Sequence, residues 1–362
     1  MIRLKEKQIF ILRESLLSVF LWICGYVFYV IMTYSAIESE YLSSIGINIK
    51  NYIIWLLGLA IFIGLFIGVV VNLLHFFVYK HILFKKSIFV SILVHIVVFV
   101  CLCIISVYLV GNSFLQQYFR NHHLIPKQDN SVIWVITFIL YSVVLHAIID
   151  FFLMFRKKVG KSFFKQIFNG LYINPIVEYR IFMFLDMTSS TTLAERSGHI
   201  LYSRLIQDCF ADLNDVMLNH DAEVYQYVGD EAVITWKIEK KFDRQNCLKL
   251  YFDFSAVLIN KKEYYLKNYG VIPQFKASIN EGKVVVAEIG LTKTEIAYHG
   301  EALHIGSRVL NLCNSLKAEL LVTGTFFRSL NSLHYNYTVI KNIDLRGIEN
   351  STDLYKIHYK NP

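Results

Sequence analysis

The chain has 362 residues, 55% of them hydrophobic and 18% charged, with a mean hydropathy of +0.45. A soluble domain carries about 25% charged residues, so the composition argues against a fully soluble protein, and 17 glycines with 4 prolines exclude a collagen-like or proline-rich disordered chain. The net charge of +8 fits a membrane surface as well as it fits nucleic acid.

Four long apolar runs fill the first part of the chain, at 15–36, 53–79, 88–110 and 131–155. Each is long enough to cross ~30 Å of hydrocarbon as a helix. The first is too long in its core for a cleaved signal peptide and lacks a small-residue cleavage site. Lys and Arg in the connections set the orientation. The segment before the first run (Arg3, Lys5, Lys7, Arg13), the second connection (Lys80, Lys85, Lys86) and the segment after the fourth run (Arg156, Lys157, Lys158, Lys161, Lys165) are basic. The other connections hold only Lys50, Arg120 and Lys127. Both termini are therefore expected in the cytoplasm, in a multi-pass plasma (inner) membrane protein. The basic excess then faces anionic lipid, and no nucleic-acid partner is needed to explain it.

His75, His95, His146 and Asp150 are the ionisable groups inside these runs, and His146 and Asp150 lie one helical turn apart. At ~1.5 Å rise per residue all four fall toward the inner edge of the bilayer. Such groups are costly in hydrocarbon and are functional candidates by default. They read as a polar cluster that holds the bundle together. A haem or other metal site built from imidazoles on facing helices, or a proton or quinone site, are the alternatives. The cysteines, at 24, 101, 103, 209, 247 and 313, form no CxxC pair and no zinc spacing, and read as reduced thiols.

Residues 156–178 form a short cytoplasmic linker, with the basic run followed by helical apolar spacing over 162–168 and then breakers at Asn169, Gly170 and Pro175. From Tyr179 onward the pattern becomes α+β. The segment 180–185 reads as a buried strand, and Thr192 with Glu195 reads as a capping box opening a helix. That helix carries Leu201, Leu205, Cys209, Phe210, Leu213 and Met217 on its apolar face. Segments 223–228 and 232–236 read as strands joined by a Gly229-Asp230-Glu231 turn. A long helix is expected over 242–268, a hairpin over 274–280 and 283–288 turning at Glu281-Gly282, a helix over 302–315, and late strands at 320–323, 335–341 and 353–358. The β-α-β-β-α-β order is ferredoxin-like. The expected organisation is a four-span membrane domain (1–155), the linker (156–178) and a catalytic domain (179–362).

Asp186 closes a strand before a helix, and Asp230 sits in a hairpin turn. Two adjacent strands joined through a helix bring such loops to one sheet edge. Two carboxylates without a basic neighbour in their loops suit Mg²⁺ or Mn²⁺, which take oxygen ligands and substrate phosphates. Thr188, Ser189, Ser190 and Thr191 lead into a helix N-terminus whose N–H groups and hydroxyls can hold phosphate oxygens.

The segments YRIFMFLDMTSST (179–191), VYQYVGDE (224–231) and YHGEALHIGSR (298–308), closed by LRGI (345–348) and Leu354-Tyr355, resemble the class III adenylate/guanylate cyclase catalytic domain, in order and at its spacings over about 175–360. The resemblance implies a phosphorus–oxygen lyase of the adenylate cyclase type. It converts a nucleoside triphosphate, expected to be ATP, into the 3′,5′-cyclic monophosphate and pyrophosphate. By the same resemblance Asp186, Asp230 and the backbone carbonyl of Met187 bind two divalent ions (Mg²⁺ or Mn²⁺), and Arg308 stabilises charge on the phosphates. The site lies between two catalytic domains, so a homodimer is implied, which the four-span domain would regulate by setting the relative angle of the two. The chain departs from the family where bases and phosphates are read. Gln226 stands for the base-reading lysine, Ala297 for its acidic partner, His304 for the transition-state asparagine, and Ile348 for the triphosphate lysine, with Arg346 as a substitute nearby. A guanylate or pyrimidine nucleotide cyclase, or a degenerate nucleotide-sensing or dimerisation module, are the alternatives these departures leave. A diguanylate cyclase would need a GGDEF hairpin, and Val228 and Ala232 replace its first Gly and its Phe.

Overall fold

The computed structural model describes residues 2–35, 49–78, 97, 99–101, 104, 131–159, 170–239, 242–292, 294–330, 335–348 and 351–358. The chain divides into two compact units, one of residues 8–161 and one of 162–362 together with 1–7.

In the first unit, helices α1 (Ile2–Ser35), α2 (Ile49–Val78) and α3 (Ser131–Val159) are the long elements. Each contains a stretch apolar and long enough to span a bilayer: Ile11–Thr33, Ile53–Leu73 and Ile136–Arg156. These are three of the four expected spans. The fourth, 88–110, lies outside the described residues apart from helical positions at 97, 99–101 and 104.

Small residues let α1 and α2 approach closely, as membrane helices without a hydrophobic drive between them require. A Cβ at Gly64 would fall 2.7 Å from the Ile23 Cα, and one at Gly68 3.0 Å from the Val19 Cα. Polar groups tie α1 to α3. Tyr26 and Ser142 share a 2.9 Å hydrogen bond, Tyr141 donates to the Gly25 carbonyl at 2.6 Å, and Glu14 pairs with Arg156. His146 is buried, 3.4 Å from Asp150, and its ring stacks with those of Trp22 and Phe99. Of the expected polar cluster, this pair is placed; His95 and the His75 side chain lie outside the described residues.

The second unit is built on one mixed sheet. Its strands are β1 (Ile176–Met187), β2 (Glu223–Val228), β3 (Glu231–Lys237), β4 (Phe275–Ile289), β5 (Glu295–His299), β6 (Leu320–Thr323), β7 (Asn336–Ile343) and β8 (Thr352–His358). They run in the order β2-β3-β1-β4-β6-β8-β7, with β5 on the far part of β4. The β4–β6 pair is parallel and the others are antiparallel. Alternation along β1 divides its side chains between two cores. Ile181, Met183, Leu185 and Met187 join the cluster under helices α5 (His199–Met217) and α6 (Gln245–Asn260), while Phe182 and Phe184 join the cluster under α8 (Glu301–Ser315). Cys209, Cys247 and Cys313 are free buried thiols, whose pKa values burial raises.

Three expectations are corrected here. The segment 274–288 is one continuous strand, because the polar run in its middle finds partners inside the fold. Asn280 bonds to Ala302 and Thr323, and Glu281 pairs with Arg244 at 2.8 Å. The long helix expected over 242–268 breaks at Lys261 into α6 and α7 (Lys262–Tyr269). The Thr192 capping box does not form. Helix α4 (Ser190–Ser197) begins two residues earlier, after a left-handed Ser189, and Gly198 separates it from α5. Strand β5 was not foreseen, and a short α9 (Gly324–Arg328) follows β6.

Candidate active site

Strand register brings the two aspartates to one end of the sheet. Asp186 lies opposite Glu231 on β3 and opposite Lys276 on β4, and Asp230 occupies the turn just before Glu231. The Lys276 ammonium stands 3.2 Å from Asp186. Burial raises the Asp186 pKa; Lys276 works against this and the Asp230 charge works with it. The Glu231 pKa rises for the same reasons, burial first and then Asp186 and Asp230. Three carboxylates held close with one lysine among them form a concentration of negative charge that a divalent cation relieves.

A further observation supports that fit. Asp230 Oδ2 is buried without a hydrogen-bond partner, an acceptor left free for a ligand. Among the described residues no group of three or more His, Cys, Asp and Glu side chains is placed to hold a metal, so the fit rests on the aspartate pair. The Tyr202 phenol lies beside this site, its pKa pushed up to about 12 by burial and then by Asp230.

The loop after Asp186 is fixed from both sides. Thr188 donates to the Gln274 carbonyl through its N–H at 2.9 Å and through its hydroxyl at 3.0 Å. Ser189 adopts φ 56°, and Ser190 and Thr191 form the first turn of α4. Both donors of Thr188 are thus committed to the Gln274 carbonyl, which leaves Ser189, Ser190 and Thr191 as the loop's remaining hydroxyls.

Arg308 and His304 lie elsewhere. The sheet-facing side of α8 presents Ala302, Gly306, Val309, Leu310 and Cys313. His304 and Arg308, each two residues beyond one of these small ones, look outward into a depression of about 370 Å³. Gly300, Glu301, Gly347 and Ile348 complete its lining. Arg308 Nη1 is buried and unpartnered, and the guanidinium lies against Gly347, where a Cβ would come 3.4 Å from Nη2. Asp186 instead acts electrostatically on Cys313, on the inner face near the end of the same helix. Neither Asp186 nor Asp230 lines the depression that holds Arg308.

Gln226 is exposed on edge strand β2, next to a register shift, while Ala297 is buried on β5. Arg346 is exposed in the turn that carries Gly347. Lys276, Glu231 and Tyr202 were missed from the sequence. Lys276 and Glu231 become neighbours of Asp186 only through strand register, and helical spacing alone marks Tyr202 as one more aromatic.

Fold and site together define a nucleotidyl cyclase domain. Residues 177–359 match the family model "Adenylate and Guanylate cyclase catalytic domain", and the chain belongs to that family. Adenylate cyclase 2 of Rhizobium meliloti (strain 1021) is 31% identical over 192 residues, and the chain spans about half the length (53%) of that curated relative. A bacterial light-regulated adenylyl cyclase shares the fold with a TM-score of 0.53 at 16% identity, covering 64% of this chain and 66% of that one. The adenylyl cyclase CyaB from P. aeruginosa aligns at a TM-score of 0.46 and 13% identity, over 52% of this chain and 97% of that one.

Proposed function

We propose that this chain is a membrane-anchored adenylate cyclase that converts ATP to 3′,5′-cyclic AMP and pyrophosphate in a homodimer with two equivalent sites. Its termini lie on the cytoplasmic side of the inner (plasma) membrane, and its membrane unit regulates the catalytic one. The observation that carries this reading is a pair of unsatisfied groups that do not share a pocket: a free carboxylate oxygen on Asp230 and a free guanidinium nitrogen on Arg308. Each is half of a phosphate-and-cation site, and a second copy of the chain brings the halves together.

In this reading Asp186, Asp230 and the Met187 carbonyl hold the divalent cations. When bound, these cations supply Lewis acidity at the substrate 3′-hydroxyl and charge neutralisation at the phosphates. The chain's own residues do the rest. Lys276 leaves Asp186 as positive charge arrives, and its ammonium turns to the phosphates. The hydroxyls and N–H groups of 189–191, on the loop that Thr188 anchors, hold the phosphate chain in line, and Arg308 of the other subunit neutralises charge as the bond to pyrophosphate breaks. His304, one turn before Arg308, donates to a ribose or phosphate oxygen, and Arg346 lies at the rim.

One observation favours a broader base preference. The buried methyl of Ala297 can neither donate nor accept, so Gln226 reads the base alone, and an amide serves adenine, guanine or a pyrimidine edge. Incubating the purified full-length protein with Mn²⁺ and ATP, GTP, CTP or UTP separately, then weighing the products, decides. Cyclic AMP as the main product, lost on chelation, supports the reading. Cyclic GMP or a cyclic pyrimidine nucleotide moves the substrate, and binding without any cyclic product leaves a nucleotide-sensing module.

A further inference from the structure

The inner face of α8 is attached to the sheet in an unusual way. Ser278 and Asn280 alternate with Gly282 along β4 and so share one face. Both side chains are fully buried, at 0% and 2% exposure. The Ser278 hydroxyl donates to the Gly306 carbonyl at 2.7 Å, and the Asn280 amide donates to the Ala302 carbonyl at 2.8 Å. Thr323 donates to the Asn280 oxygen at 2.7 Å and completes the row.

Those two carbonyls lie inside a regular helix and already accept from the N–H four residues on. The extra donors therefore do not cap anything; they latch the helix to the strand at two points one turn apart. Contacts around them are small and smooth. Gly282 meets the Ala302 Cβ, and a Cβ at Gly306 would fall 2.5 Å from the Phe184 ring. Apolar contact of this kind is non-directional, whereas the hydrogen bonds have a preferred line.

We propose that Ser278 and Asn280 are positioning residues that set the roll of α8 on the sheet, and through it the aim of His304 and Arg308. The inference rests on the phosphate role given to Arg308 above. Ala302 and Gly306 each precede one of the two outward residues by two positions, about 200° around the helix. Rotation about the latch swings both side chains across the mouth of the pocket. Misplacement of a catalytic group by about 1 Å can cost ~100-fold in rate.

The test measures cyclic nucleotide formation by the full-length protein with Mn²⁺, for wild type, Ser278→Ala, Ser278→Thr and a control, Ser255→Ala. Ser255 also donates to a helix carbonyl, that of Tyr251, away from the site. Ser278→Ala is expected to lower kcat at least tenfold while KM for the nucleotide moves less than threefold, because the misaimed groups act late in the reaction. Ser278→Thr, which keeps the hydroxyl, restores most of that loss, and Ser255→Ala matches wild type. Should Ser278→Ala fail to fold, Thr323→Val, which removes the donor that holds the Asn280 side-chain oxygen and so loosens its amide on Ala302, carries the same expectation of a kcat loss at constant KM. Wild-type kcat in Ser278→Ala, or an equal loss in the control, overturns the inference alone. A wild type that forms no cyclic nucleotide overturns the functional reading and this inference with it.

Discussion

The Arg180 side chain has no exposed surface, and four residues surround its guanidinium. Nε pairs with Glu178 at 2.7 Å, Nη1 faces Glu223 at 3.6 Å, Nη2 donates to the Tyr172 oxygen at 3.5 Å, and the Tyr298 ring lies 4.8 Å away. Lys237 closes on the other oxygen of Glu178 at 2.5 Å. Burial alone would raise the Glu178 pKa, but the Lys237 and Arg180 hydrogen bonds outweigh it and hold the carboxyl below its ordinary range. A depressed carboxyl stabilises the fold above its unfolded pKa and loses that contribution as pH falls through the folded value. We therefore expect the wild-type melting temperature to drop on acidification below about pH 5. Glu178→Gln should start lower at pH 7, by about 3 kcal/mol, the cost of breaking a buried pair, and should show a flatter acid limb. Melting curves across pH 3–7 check both. Sequence pattern does not reveal this hub: Arg180 opens a buried strand, and its partners lie as far along the chain as Tyr298. Asp186 and Asp230 were legible because each stands where a strand stops, so its place is fixed by local pattern. Lys276 was not, because its neighbourhood depends on pairing across the sheet.

At the scale of elements, periodicity worked where one face is apolar and failed where polar residues are buried. Helix α8 and strand β3 fall close to their expected spans. Strand β4 was split at Glu281-Gly282 because that pair reads as a turn, whereas the fold satisfies Glu281 with Arg244 and uses Gly282 to admit Ala302. The start of α4 was misplaced for a related reason. Ser189 takes a left-handed conformation at φ 56°, which a side chain resists and sequence does not announce. Ser189→Gly should stabilise the catalytic unit by about 1 kcal/mol. Thermal melting without nucleotide reads this directly, and an unchanged or lower midpoint would show that the serine hydroxyl does more for the fold than the strain takes away.

At the scale of the molecule, the chain divides into two compact units, and among the described residues three helices are long and apolar enough to cross a bilayer. The spacing of a pattern locates a helix but not a dimer, so the shared site must be tested through the assembly. Chains carrying Asp186→Ala and chains carrying Arg308→Ala should each be inactive alone. Co-expressed, they should recover up to about a quarter of wild-type activity, since random pairing makes half the dimers mixed and each mixed dimer has one intact site. Product formation in such mixtures is the measurement, and complete silence would reject a site built from two chains.

In the shared-site reading, the free acceptor on Asp230 and the free guanidinium nitrogen on Arg308 have a quantitative outcome for a cell. While pairing is weak, output grows with the square of copy number, so doubling synthesis quadruples the messenger made and halving it leaves a quarter. Gene dosage then becomes a control knob in its own right.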